Sequence, residues 1–176
     1  MSGHFRRRGA ALELHLDAFE VQLLRDLQAM VVEALDHADI ADPALHRLFP
    51  TAVADDAMAD ADLRAMVFDS LMEGRRAGLD ALVEILDRGD RGSKGVRVVL
   101  HDDEPALVLG VLNDVRLALG ARIGVEQLER DALDDVDEAR VQGLAIIDHL
   151  AWIQEQLIAE VDPASTVHYE ETRDLE

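Results

Sequence analysis

Residues 96–125 read VRVVLHDDEPALVLGVLNDVRLALGARIGV, and the fold is decided there. Val96-Arg97-Val98-Val99-Leu100 is a run rich in β-branched residues that reads as a half-buried strand. His101-Asp102-Asp103-Glu104-Pro105 is an acidic turn with proline just inside a helix start. The apolar positions Leu107, Val108, Leu112, Val115 and Leu119 then recur at helical spacing through a long amphipathic segment. Asn113, Asp114 and Arg116 interrupt this aliphatic helix. Polar groups in such a setting must find partners, which makes them the most specified local chemistry of the chain.

A second strand-then-helix unit lies about 85 residues upstream. Leu12-Glu13-Leu14-His15-Leu16 alternates, and Asp17-Ala18-Phe19-Glu20 is a capping box opening a helix that runs to about His37. Phe19, Leu23, Leu27, Met30, Ala34 and Leu35 supply its expected apolar face. The two strands are expected to pair in one small sheet, with a further strand through Arg6 and a turn at Gly9.

Between the units, Asp42-Pro43 is an N-cap followed by proline at the first helical position. The short helix it opens carries Leu45, Leu48 and Phe49 and stops at Pro50. Residues 51–62 read as an Ala- and Asp-rich loop. The longest helix is expected from about Asp60 to Asp87, with Leu63, Val67, Leu71, Leu82, Ile85 and Leu86 as its apolar stripe. Ser70, Gly74 and Gly78 recur on it every four residues, and two readings stand: close packing inside the core, or a homodimer or partner face. Residues 88–95, RGDRGSKG, read as a flexible loop whose glycines fit no phosphate-binding pattern.

C-terminal to the central helix, Gly120, Ala121 and Gly124 mark a turn, Glu126 to Ala132 a short helical piece, and Asp135-Val136-Asp137-Glu138 a further capping box. The last helix carries Ile146, Leu150, Ile153, Leu157 and Val161. Trp152 stands one position off this stripe, as a core-rim anchor or an interface residue.

The predicted architecture is mainly α: a single domain over residues 1–176, of five to six helices, with a small antiparallel sheet from residues near 5–16 and 96–101. Residues 1–4 and 163–176 are expected to fray.

Composition narrows the functional classes. The 176 residues carry 37 acids against 17 lysines and arginines, a formal charge of −20, and from Asp102 onward 19 acids face five arginines. Such a balance opposes non-specific attraction to nucleic acid and to anionic membranes. Arg6-Arg7-Arg8 is the one basic cluster, read either as a solvated strand edge or as a candidate DNA-contact arm. Cysteine is absent, which removes disulfides and thiol-based redox sensing. With no secretory apolar region and no apolar run near 18 residues, a cytoplasmic location is expected and no membrane partner.

No catalytic set of a familiar kind is present: no H-E-x-x-H, no paired Glu-x-x-His and no G-x-S-x-G. Glu33/His37 and Asp42/His46 each share a helix face without a third ligand, and Asp148-His149 are adjacent and diverge. No catalytic residue, cofactor or metal is therefore assigned, and the expected protein is not an enzyme.

Three segments resemble a known family when taken together. They are Phe5-Arg6-Arg7 leading into Leu12-Glu13-Leu14, the block LNDVRLALGARIGV at residues 112–125, and DHLAWIQEQL at residues 148–157, with GRRA at residues 74–77 beside them. Over residues 5–160 the chain resembles an actinobacterial family of domain-of-unknown-function proteins usually encoded beside the Clp protease adaptor. That family includes an oxidative-stress transcriptional regulator working with RNA polymerase and a sigma factor. The resemblance implies a non-catalytic regulatory protein that contacts sigma factor or RNA polymerase. An adaptor of Clp proteolysis and a direct DNA binder are the alternatives. Carried over by position, its marker residues are Arg75, Asn113, Asp114, Arg116, Arg122, Trp152 and Gln154, as structural or interaction residues. A thiol switch is not among the properties this chain can share.

Overall fold

The structure is a computed structural model describing residues 3–9, 11–37, 39, 41–51, 55–93, 95–128 and 138–162. Its frame is a four-stranded antiparallel sheet of order β1-β2-β4-β3, formed by β1 (Phe5–Arg8), β2 (Ala11–Leu16), β3 (Asp90–Gly92) and β4 (Gly95–Leu100). The two alternating strands pair as expected, with Leu12 opposite Leu100, Leu14 opposite Val98 and Leu16 opposite Val96. The period of two puts these six side chains on one face, and all six are buried.

Helices α1 (Ala18–His37), α2 (Pro43–Leu48), α3 (Ala57–Asp87), α4 (Glu104–Arg122) and α6 (Glu138–Val161), with the single turn α5 (Val125–Leu128), complete the described chain. One continuous apolar core runs from Leu14 and Val98 through Val31, Leu82 and Val115 to Leu150 and Leu157. The fold is a single, mainly helical domain.

The helix starts follow their side chains. The Asp17 carboxylate accepts from the Glu20 N–H and Glu20 accepts from the Asp17 N–H, each at 2.8 Å, closing the capping box of α1. Asp42 accepts from the Ala44 N–H at 2.8 Å with Pro43 inside the first turn. Helix α4 differs from expectation in detail. Asp103 makes no side-chain cap, and Glu104 instead accepts from the His101 N–H at 2.8 Å while Arg88 grips its carboxylate.

Four readings need correction. The buried face of α1 runs through Glu20, Leu24, Leu27, Val31, Ala34 and Leu35, whereas Phe19 is 70 % exposed. Capping by Asp17 and Glu20 fixes the helix phase, and position 19 then points away from the sheet. Helix α3 begins at Ala57, earlier than expected, because Asp56 accepts from the N–H groups of Met58 and Ala59. Its expected stripe divides: Leu82, Ile85 and Leu86 are buried with Leu79, but Leu63, Val67 and Leu71 are exposed. At 31 residues this helix is about 46 Å long and overhangs the shorter elements beside it. Finally, residues 88–95 are not all loop, since Asp90–Gly92 pair with β4 and close a hairpin at the sheet edge.

Gly120 and Ala121 continue α4, and the turn falls at Gly124, with φ +67°. The capping box at residues 135–138 and most of the short piece to Ala132 lie outside the described residues, as does the tail from residue 163. No helix among the described residues is long and apolar enough to cross a membrane.

Two expectations follow from this frame. Gly95 has φ +125°, and a Cβ there would sit 2.0 Å from the Leu16 carbonyl oxygen. Gly95→Ala should cost at least ~2 kcal/mol in chemical denaturation, by strain and by clash with backbone that cannot move aside. Asp42→Ala should cost about 1 kcal/mol at neutral pH. Partial burial pushes the Asp42 carboxyl up, but the Ala44 N–H and Arg122 outweigh it and hold the carboxyl below its ordinary value. A depressed carboxyl stabilises the fold above its unfolded pKa and loses that contribution as pH falls through the folded value. The wild-type advantage should therefore shrink in acid; a penalty equal at pH 2 and pH 7 would show that the carboxylate is not the cap.

Candidate functional site

Glu20 stands on the same buried line as Leu24, Leu27 and Val31, one helical turn from Leu24. A carboxylate there must be satisfied, and only one of its oxygens is used by the cap. Glu20 Oε2 accepts from Asp17 N–H, while Oε1 receives two imidazoles: His4 Nε2 at 2.5 Å and His149 Nε2 at 2.9 Å. The three groups come from the lead into β1, the first turn of α1 and the middle of α6. Their donor atoms lie within 4.8 Å of one another, the one such cluster of three or more among the described residues.

The sheet brings His4 there. His15 N–H donates to the His4 carbonyl at 2.7 Å, extending the β1–β2 pairing by a step, and His4 N–H donates to Gln156 Oε1 at 2.8 Å. His4 is consequently buried, although the sequence reading leaves it in the terminal stretch. Gln156 also turns its amide nitrogen to His4 Nδ1 at 3.2 Å and to the Trp152 carbonyl at 3.4 Å. With an amide donor at Nδ1, neutral His4 carries its proton on Nε2 and donates it to Glu20.

Trp152 closes one side, edge-on to His4 at 4.8 Å between ring centres and 5.8 Å from the His149 ring. The indole is thus anchored at the rim of the core, 38 % exposed and packed against the two histidines. His4, Glu20 and Trp152 also line a cavity of about 590 Å³ bordered by His15, Asp17, Asp90, Arg91 and Arg97. Burial pushes the Glu20 carboxyl up, but the hydrogen bonds from His4, from the Asp17 N–H and from His149 outweigh it. The carboxyl is held below its ordinary range and is ionised at neutral pH. Chemically, the arrangement brings two imidazole nitrogens and one carboxylate oxygen together, with His4 and Glu20 at the wall of the recess.

The residues singled out in sequence fall elsewhere, mostly along α4. Asp114 pairs with Arg75, whose guanidinium also donates to the Leu48 carbonyl at 3.0 Å and lies 5.2 Å over the Phe49 ring. Arg116 donates to Gln154 Oε1, and the Gln154 amide nitrogen donates to the Leu109 carbonyl at 3.2 Å. Arg116 Nε is buried without a partner, and nothing in the structure explains it. Arg122 donates to Asp42 at 2.9 Å, tying the end of α4 to the cap of α2. Asn113 is exposed on a groove of about 790 Å³ that Arg116, His46, Arg47 and Ile147 also line.

These contacts tie α2, α3, α4 and α6 to one another, and only Trp152 reaches the histidine cluster. Arg6, Arg7 and Arg8 form strand β1 and not a free arm; Arg7 donates to the Glu160 carbonyl and Arg8 pairs with Glu13 at 3.1 Å.

Sequence reasoning missed His4 and His149 because they lie 16 and 129 residues from Glu20. The available signal was Glu20 itself, a carboxylate in phase with the buried leucines of α1.

The second surface feature is the overhanging half of α3. Leu63, Met66, Val67 and Leu71 are exposed there, with Met58 at the helix start, beside the exposed acids Asp62, Asp69 and Glu73. Ser70 is exposed and a Cβ at Gly74 would meet nothing within 4 Å, while Gly78 approaches Val111. The small-residue face therefore packs internally at Gly78 and lies open at Ser70 and Gly74.

A double-mutant cycle on Arg75 and Asp114 should give a coupling of about 1–3 kcal/mol, because both groups are half-buried and share further partners. Coupling near zero in urea titrations of Arg75→Met, Asp114→Asn and the double variant would assign the pair to the surface class.

A family profile described as "Domain of unknown function (DUF2017)" matches residues 1–161, and the chain belongs to that family. No curated protein and no solved structure matches it.

Proposed function

We propose that this chain is a non-catalytic regulatory module that works by docking a partner protein. The partner we assign is the transcription machinery, a sigma factor or RNA polymerase, on the strength of the resemblance to the oxidative-stress regulator.

The observation that carries the docking reading is the outer half of α3. Met66 is 81 % and Leu71 51 % exposed in the midst of Leu63 and Val67, a continuous apolar strip of the kind that marks partner surfaces. Asp62, Asp69 and Glu73 border the strip. A second copy of the chain would set these acids against their like, whereas a partner with a basic rim would complement them. The overall charge of −20 acts in the same direction over longer range.

The DNA-binding alternative has less support, since Arg7 and Arg8 already contact Glu160 and Glu13. The Clp-adaptor alternative calls on the same strip with a different occupant.

The test uses nuclease-treated, purified proteins. Core RNA polymerase, a principal sigma factor and the Clp adaptor are immobilised separately, and the full chain is titrated over each at two salt concentrations. Binding to polymerase or sigma factor is expected, weaker at high salt, and at least ~10-fold weaker for Met66→Lys/Leu71→Lys. Binding to the Clp component alone transfers the surface to proteolysis. Absence of binding to all three, or binding indifferent to the two substitutions, overturns the reading.

A further inference from the structure

We propose that His4, Glu20 and His149 form a site for one divalent transition-metal ion of the zinc class. The inference is independent of the docking surface on α3 and rests on the convergence described above.

A capping glutamate needs one carboxylate oxygen for its cap. Glu20 commits Oε2 to Asp17 N–H and leaves Oε1 against two imidazole nitrogens from remote elements. Zinc takes imidazole nitrogen and carboxylate oxygen at about 2.0–2.2 Å in a tetrahedral arrangement, which sets neighbouring ligand atoms about 3.3–3.6 Å apart. The two imidazole nitrogens now stand 2.5 and 2.9 Å from Glu20 Oε1 and must part from it by about half to one ångström. Small side-chain rotations, without movement of the backbone, would admit an ion between them. Two imidazoles with one carboxylate favour zinc, cobalt or iron over magnesium or calcium, which take oxygen ligands.

The surroundings suit a three-ligand site that keeps a position open. Trp152 shields the His4 ring on one side. The cavity of about 590 Å³ that His4, Glu20 and Trp152 line gives an entry path and room for water as a further ligand. The Asp17 N–H orients the carboxylate, as outer partners of metal ligands commonly do.

Gln156 is the element that must change. Its amide nitrogen now faces His4 Nδ1, which keeps the His4 proton on Nε2. Ligation through Nε2 moves that proton to Nδ1, so the Gln156 amide must turn until its oxygen accepts from Nδ1–H as well as from the His4 N–H. Gln156 is thus a positioning residue that senses which tautomer His4 holds.

The experiment is a titration of the tag-free, chelator-stripped full chain with cobalt(II) and with zinc(II). Calorimetry reads stoichiometry and affinity, and visible absorption of the cobalt form reads the donor set. The wild type should take one equivalent of either ion and raise its thermal midpoint with zinc. His149→Ala, which changes the more exposed ligand and should keep its circular dichroism spectrum, is expected to lose at least ~30-fold in affinity along with the zinc-dependent midpoint shift. Glu20→Gln should do the same wherever it folds. Gln156→Ala should bind about 10-fold more weakly, and His37→Ala/His46→Ala should bind as the wild type does. Less than one equivalent on the wild type, or His149→Ala binding as tightly as the wild type, overturns the site and leaves a hydrogen-bonded triad.

Discussion

The pairing of Leu12–Leu16 with Val96–Leu100 closes a chain segment of about eighty residues, and most of the molecule takes its position from that closure. Each strand runs directly into a helix, β2 into α1 and β4 into α4, so an antiparallel register launches both helices onto the buried face of the sheet. Gly95 permits the register. With any side chain there, the hairpin of β3 and β4 could not lie against Leu16 and Asp17. Extension of the same sheet by β1 carries His4 to the start of α1, where it meets the Glu20 oxygen that the cap leaves over. The candidate metal site is therefore a consequence of sheet register as much as of the histidines themselves.

What could be read from the sequence was local or periodic. Asp17 and Glu20, Asp42 and Pro43, and the alternation at Leu12–Leu16 and Val96–Leu100 each act within a few residues, and the structure places them as their chemistry dictates. Periodicity also found α3, but an apolar stripe does not say what covers it. Leu63 and Leu82 share the pattern, and only Leu82 meets the core, because the sheet and α1 are shorter than the helix. Phe19 shows the complementary limit: hydrophobicity proposed it for the interior, and the phase set by the cap beside it pointed it outward.

The histidine cluster was illegible for a different reason. Metal-ligand reasoning on a sequence relies on spacing along one helix, and the pairs with that spacing lead nowhere here. His37 lies 2.8 Å from the Glu33 backbone oxygen, and Asp42 is taken by Arg122 and the cap of α2. The polar residues on buried lines are better guides. Gln154 and Glu20 both sit in phase with leucines, and both gather partners from distant segments. Gln154 ends in a closed arrangement between Arg116 and the Leu109 carbonyl, a tie between α4 and α6. Glu20 ends at a cavity wall beside His4, with His149 on the same oxygen, and that difference is what the proposed metal site rests on.

Charge follows the same division between inside and outside. Arg75, Arg76, Arg88 and Arg122 each hold an acid on another element, and Arg7 and Arg8 are engaged at the sheet edge. The basic residues of this chain thus serve largely to tie its own parts together, so the acidic surplus is expressed outward. A triple arginine that looks like a nucleic-acid footprint in sequence is, once folded, divided between the two faces of a strand, with two of its members paired to glutamates. On the docking reading, attraction at long range would then belong to basic partners, and specificity at short range to whatever covers the exposed Met66 and Leu71. In the docking proposed above, an acidic body of this kind would select the sign of its partner well before contact, and the apolar strip on α3 would decide which of the basic surfaces it meets will stay.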